Sequence, residues 1–314
     1  MPLHRLTTIT LGVKDVAATA DYYTDFGLNP TTSSGDGLTR RFATVDGGEQ
    51  LKIVRTPRRR LTELGIGVDD SDDLDRIGAN LLRLGMTAAR TATSLTVYEP
   101  ATEVEVTVEI ALRLDQVPPP APVYNRPGAT PRLNERAPGV EKWGTSVHPR
   151  RLGHVVLGST HHDVAQRFFI EGLGFKISDE VPGIAAFLRC STDHHNVMIQ
   201  KAPASLLHHT SWQVDDVDEV GRGATNMLAK DANRHAWGLG RHHIGSNFFY
   251  YLKDPAGNFS EYYSDMDCIV DDALWKAQDW NDSRAMWSWG PPPPASFLEP
   301  ADLAELMTDT HSNG

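Results

Sequence analysis

Thirteen histidines occur in the chain, and eight of them stand in adjacent pairs: His161-His162, His194-His195, His208-His209 and His242-His243. All four doublets lie in the second half, and before His148 the only histidine is His4. Imidazole is suited to metal ligation and to proton transfer near neutral pH. A mononuclear metal site needs two to four donors converging from different segments, so the question is which of these rings share a side.

Strand alternation gives a first answer, because successive side chains point to opposite faces. In "SLLHHTSWQV" (205–214) it puts His208, Thr210, Trp212 and Val214 on one face, and Leu207, His209, Ser211 and Gln213 on the other. The first face reads as packing against a helix. The second is smaller and more polar, as expected around a site, so His209 is predicted to point inward and His208, on the other face, to pack or to support its neighbour. His154 in "GHVVL" occupies a similar first-strand position. Glu261 in "DPAGNFSEYY" shares a face with Phe259 and Tyr263. An inward carboxylate among aromatics is costly unless paired or metal-bound. Two histidines and one carboxylate are the donor set that suits non-haem Fe(II), with positions left open. The plainer reading is that a strand histidine is a satisfied core residue and a strand-end glutamate is solvated.

An internal repeat shifts that balance. "RLTTITLGVKDVAATADYYTDFGLNP" from Arg5 parallels "RLGHVVLGSTHHDVAQRFFIEGLGFKI" from Arg151. "LGIGVDDSDDLDRIGANLLRLG" from Leu64 parallels "TSWQVDDVDEVGRGATNMLAKD" from Thr210, and "YEPATEVEVTVEI" from Tyr98 parallels "KDPAGNFSEYYSD" from Lys253. The first-half positions matching His154, His209 and Glu261 are Thr8, Glu63 and Val106, so one copy carries the donor set and the other does not. Within each half a strand enters a helix after an aspartate, and several short strands follow. Asp163 and Asp216 are placed to cap helices over 164–171 and 217–229. The expected architecture is α+β: four βαβββ modules in two domains, 1–113 and 150–268. A Pro-rich linker at 114–149 joins them. A tail at 269–314 holds Trp275, Trp280, Trp287 and Trp289, too much apolar area to leave in water, so it is expected to pack on the body, cover a cleft or form a subunit contact.

Bulk properties exclude several classes. Of 314 residues, 40% are apolar and 23% charged, as in ordinary globular chains. A net charge of −11 argues against a general binder of nucleic acid or anionic membranes. There is no apolar run of transmembrane length and no signal-peptide pattern in "MPLHRLTTITLGV". Cys190 and Cys268 alone cannot build a disulfide framework, which points to the cytoplasm.

The stretches "GHVVL", "DHHNVMIQ", "LHHTSWQV" and "GRHHIGSNFFYYLKDPAGNFSEYYSD" closely resemble the type I extradiol catechol dioxygenases of the vicinal-oxygen-chelate superfamily over about residues 150–266. The resemblance implies an incompletely closed, eight-stranded barrel-like sheet in each domain, with the active site in the second. It implies His154, His209 and Glu261 as metal ligands, with His195, His242 and Tyr251 around bound catechol and O₂. It also implies Fe(II), or Mn(II) with the same donors, and a homo-oligomer. His161-His162 matches nothing catalytic and reads as a surface loop. Phe187, Trp212, Phe248 and Phe249 are candidate pocket walls. Glyoxalase-like, epimerase-like or hydroquinone-cleaving chemistry, or a non-catalytic binder on the same fold, are the alternatives.

Overall fold

The computed structural model describes residues 3–33, 37–280 and 286–308, so residues 281–285 and 309–314 of the tail lie outside the described residues. The first half supplies strands β1 (Leu3–Val13), β2 (Asn29–Ser33), β3 (Thr39–Thr44), β4 (Gly48–Arg55), β5 (Arg60–Val68), β6 (Ala89–Arg90), β7 (Ser94–Glu99) and β8 (Val104–Ile110). The second supplies β9 (Arg151–Ser159), β10 (Lys176–Val181), β11 (Ala185–Arg189), β12 (Val197–Lys201), β13 (Leu206–Gln213), β14 (His235–Arg241), β15 (Phe248–Lys253) and β16 (Phe259–Ser264). The two eight-stranded sheets have the same order, β2-β3-β4-β1-β5-β8-β7-β6 and β10-β11-β12-β9-β13-β16-β15-β14. Each is mixed and remains open between its edge strands. These are the four βαβββ modules that the repeat predicts.

One helix follows the first strand of each module: α1 (Val16–Asp25), α2 (Ser71–Arg83), α4 (His162–Arg167) and α5 (Val217–Lys230), with a single turn α3 (Pro138–Glu141) between the halves. Asp15, Asp70 and Asp216 cap α1, α2 and α5 by accepting the N–H of Ala18, Asp73 and Glu219. The expected Asp163 cap is not made. His161 occupies that position, and Asp163 lies in the first turn, where its charge still complements the helix dipole. Beyond Arg167 the helix widens into a π turn over Phe168–Leu173. The linker is largely extended and exposed, as expected, apart from α3.

The halves share one hydrophobic core. Tyr262 stacks on Phe26 with centroids 3.9 Å apart and donates its hydroxyl to the Phe26 carbonyl at 2.7 Å. Trp212, expected to pack on its own module's helix or to wall a pocket, instead meets Tyr23 of the first half edge-on at 6.3 Å and is fully buried. The side of β13 that carries Trp212 is closed by the other half, because covering a large indole there removes more apolar surface than one short helix can.

Gly27 and Gly174 end α1 and the π turn at the same φ of +92°. A Cβ on Gly27 would overlap the Val147 carbonyl, whereas Gly174 has open space there. Gly174→Ala is expected to lose only the left-handed backbone preference, about 1–2 kcal/mol. Gly27→Ala must also displace the Val147 carbonyl, and chemical denaturation should place it below Gly174→Ala by at least about 1 kcal/mol.

Candidate functional site

Ser211 is the centre of the site's geometry. On β13 it pairs with His154 on β9 and with Glu261 on β16, and Glu261 pairs in turn with Tyr251 on β15. His154, Ser211, Glu261 and Tyr251 therefore form one row across four strands, and His209 stands two residues before Ser211 on the same strand. Serine is small enough to leave room above it for its neighbours' donor atoms.

The three donors converge. His154 Nε2 lies 3.3 Å from His209 Nε2 and 3.1 Å from Glu261 Oε2, and His209 Nε2 lies 3.7 Å from that oxygen. These residues form the His–His–Glu cluster found among the described residues, with all donor atoms within 4.8 Å of one another. Donors set at right angles about 2.1 Å from one ion lie about 3 Å apart. Glu261 is fully buried, yet its Oε2 makes no hydrogen bond, while its Oε1 accepts from Asn247 Nδ2 at 3.1 Å. A buried carboxylate oxygen aimed at two imidazole nitrogens without hydrogen-bonding geometry fits a divalent cation between them.

The first-half counterparts carry no such set. Strand register aligns Thr8 and Glu63 with His154 and His209, as expected from the repeat. It aligns Glu261 with Thr107 rather than Val106, because the first-half hairpin carries one residue more between its paired positions, Thr96 and Thr107, than the second does between Tyr251 and Glu261. Glu63 is held by the Thr10 hydroxyl and Lys52, and Thr107 by Thr96.

The other three singled-out residues surround the donors. The His195 ring lies 4.3 Å from that of His154, centroid to centroid, against the edge of Phe187 at 5.2 Å. His242 meets the Tyr251 hydroxyl through Nε2 at 2.8 Å and stacks on Phe249 at 4.1 Å. Its Nε2 is 3.7 Å from Glu261 Oε1, and its Nδ1 meets the Met286 carbonyl. Tyr251 packs on His209 at 5.0 Å. Phe187 and Phe249 thus border the site. Phe248 instead carries the Arg241 guanidinium and Trp289 away from it.

His208 packs beside the site rather than on the opposite face: it is buried, and its Nδ1 lies 2.8 Å from His209 Nδ1. A β-bulge between Leu207 and His209 breaks the alternation and brings both rings to one side. His194 likewise meets His195, Nδ1 to Nδ1, at 3.1 Å. His161 is exposed and His243 packs on Trp280, so those doublet members stay outside the site.

The tail packs on the body beside the site. Trp275 Nε1 donates to the Ser178 carbonyl, and Trp237 Nε1 donates to that of Pro291. Phe297 is buried against Tyr251, Phe259 and His208, and Asp302 forms a two-point ion pair with Arg59. Arg59, from the first half, also donates to the Leu207 carbonyl just before the bulge. His194, His208, Asp179 and Phe297 were not singled out as site residues from sequence. Doublet membership was the only signal for the two histidines, and nothing local marked the other two.

Burial disfavours the charged form of four of these imidazoles. It pushes His195 and His209 well below the usual histidine value, helped by neighbouring rings, lowers His242, and brings His208 down to about 4. Burial, with Glu261 nearby, holds the Tyr251 hydroxyl far above its usual range, so it stays protonated. Below about pH 6.5 the unfolded chain therefore binds more protons than the folded one, and stability falls with pH. Asp254, pushed up to about 6 by burial, opposes this below pH 6, but it is one group against five, since burial lowers His4 as well. For metal-free protein, denaturation midpoints at pH 7.5 and 5.5 should differ by about 1 kcal/mol per neutral histidine, with lower stability at pH 5.5.

Two open sheets of four βαβββ modules, with a His–His–Glu cluster in the second, define a vicinal-oxygen-chelate fold. Residues 151–262 match the family model of the Glyoxalase/Bleomycin resistance protein/Dioxygenase superfamily. Metapyrocatechase 2 of Cupriavidus necator is 38% identical over 177 residues, covering 54% of this chain and 55% of that protein. The iron-dependent extradiol dioxygenase of Rhodococcus jostii (strain RHA1) is 29% identical over 154 residues, covering 44% and 50%. The chain thus spans about half the length of these curated relatives in the aligned region. A Mn(II)-bound glyoxalase from Novosphingobium aromaticivorans superposes with a TM-score of 0.74 at 25% identity, covering 93% of each chain. Among the described residues no helix is long and apolar enough to cross a membrane.

Proposed function

We propose that this chain is an extradiol dioxygenase, opening the ring of a catecholic compound with O₂ beside its two hydroxyls at a mononuclear non-haem Fe(II), or Mn(II) with the same donors. The observation that carries this reading is the row of His154, Glu261 and Tyr251, with His209 above it and His195 and His242 at its sides. His154, His209 and Glu261 hold the metal. When bound, the metal supplies Lewis acidity to two vicinal hydroxyls and a place for O₂ to react. His195, neutral and without a hydrogen bond at Nε2, takes a proton from one hydroxyl and returns it to the ring-opened product. Tyr251, kept protonated, donates to a substrate oxygen, and His242 orients it across the 2.8 Å hydrogen bond. Catechol and O₂ combine without loss of atoms, giving a hydroxymuconic semialdehyde.

The likeness to a Mn(II)-bound glyoxalase favours a second reading, a metal-dependent isomerisation or lyase reaction that consumes no oxygen. His195, His242 and Tyr251 favour the first, since they provide the proton-handling groups that a catechol requires. The deciding experiment loads Fe(II) anaerobically and offers catechol, 3-methylcatechol and 2,3-dihydroxybiphenyl under air. Oxygen uptake matched by visible product absorbance supports the proposal; metal binding with no uptake on any of the three refutes it. The unpaired Cys190 and Cys268 support a cytoplasmic setting, and exposed Val117, Leu133 and Trp143 along the linker, with Leu112 just before it, support a homo-oligomer.

A further inference from the structure

Two of the histidine doublets share one arrangement. The His208 Nε2 lies 2.8 Å from the Phe297 carbonyl, and its Nδ1 lies 2.8 Å from His209 Nδ1. The His194 Nε2 lies 3.0 Å from Asp179 Oδ2, and its Nδ1 lies 3.1 Å from His195 Nδ1. All four rings are buried, as is Asp179.

A carbonyl oxygen can only accept, so the proton of His208 sits on Nε2 and its Nδ1 carries a lone pair. The Nδ1–Nδ1 contact then needs a donor, which must be His209 Nδ1–H. His209 Nε2 is left bare, facing His154 Nε2 and Glu261 Oε2. The same logic runs through the other pair. Asp179 Oδ1 accepts the Gln278 N–H at 2.6 Å, and its Oδ2 accepts from His194 Nε2–H. His195 must donate through Nδ1, and its Nε2 is left bare on the side away from His194.

We propose that the leading histidine of each doublet is a positioning residue that fixes the tautomer of the trailing one, so that His209 and His195 both present an unprotonated Nε2 to the site. The tail anchors both relays, through the Phe297 carbonyl and the Gln278 N–H. This rests on the reading of the site as a metal centre only in what the bare nitrogens are for; the tautomers themselves are properties of the protein alone.

Long-range ¹H–¹⁵N correlation spectra of the full-length chain, metal-free and with Zn(II) as a diamagnetic probe, report each imidazole's tautomer. His195 is expected as Nδ1–H in both samples and His209 as Nδ1–H already in the metal-free one. Wild-type protein with either ring as Nε2–H in the metal-free sample overturns the proposal for that doublet, whatever any variant does. A glutamine amide can both accept and donate, so His208→Gln and His194→Gln should preserve these tautomers, whereas His208→Leu and His194→Leu should not. Zn(II) affinity should fall about 10–100-fold in His208→Leu and recover substantially in His208→Gln. Unchanged tautomers and affinity in folded leucine variants also overturn it; if those variants fail to fold, the wild-type spectra decide. Failure of the functional reading looks different, because wild-type tautomers would stand while no oxygen is consumed.

Discussion

Glu261→Ala is expected to leave purified protein with less than about a tenth of an equivalent of metal after loading with Fe(II) or Mn(II), and with turnover lost in proportion. Glu261 supplies the only anionic donor of the cluster, and its Oε2 is the atom both imidazoles approach. Two neutral imidazoles alone cannot offset the desolvation of a divalent cation at a fully buried position. His209→Ala should behave alike, removing one of two nitrogen donors. Metal-free Glu261→Gln should be at least as stable as the metal-free parent, because it removes a buried charge whose Oε2 lacks a hydrogen bond. The parent should gain melting temperature on adding metal and the variant should not. Full metal occupancy with normal turnover in Glu261→Ala would sink the assignment of the donors.

His195→Ala should separate metal binding from chemistry. The ring packs on His154 but is not among the three clustered donors, so metal content is expected to stay near that of the parent. Turnover should fall about 10²–10⁴-fold, the range for loss of a positioned acid–base group. A neutral imidazole is needed for this role, and burial among other rings keeps His195 neutral across the physiological range. The fall should appear mainly in kcat, with KM little changed, because the group acts on a proton rather than on binding. Unchanged kinetics would remove His195 from the mechanism, and loss of metal would make it a structural support for His154.

Much of the architecture was legible because the chain states its fold twice. The offset that aligns Arg5 with Arg151 also aligns β1 with β9 and β5 with β13, and both sheets share one strand order. Alternation also marked the inward faces of His209 and Glu261. It failed at His208, where a bulge inserts one residue and brings beside the site a ring expected on the opposite face. The orientation of Trp212 depended on a surface of the first half, which no local pattern records. Phe297 joins the site through its backbone carbonyl and Asp179 through its carboxylate, both over long sequence separations, so no local pattern marked them. A single-residue difference in turn length displaced Val106 from the position that register gives to Thr107.

The bulge has its own twin. In the first half, Leu11 pairs with Leu61 and Thr10 with Glu63, the same skipped residue at the same point of the strand, with Thr62 where His208 stands. Among the described residues no donor cluster sits above it. The irregularity is therefore a property of the scaffold, present whether or not a cation has to be accommodated. The first half serves as an internal control, separating what the backbone supplies from what three side chains add. In the other half the same kink brings His208 against His209, Nδ1 to Nδ1, beside the donor cluster.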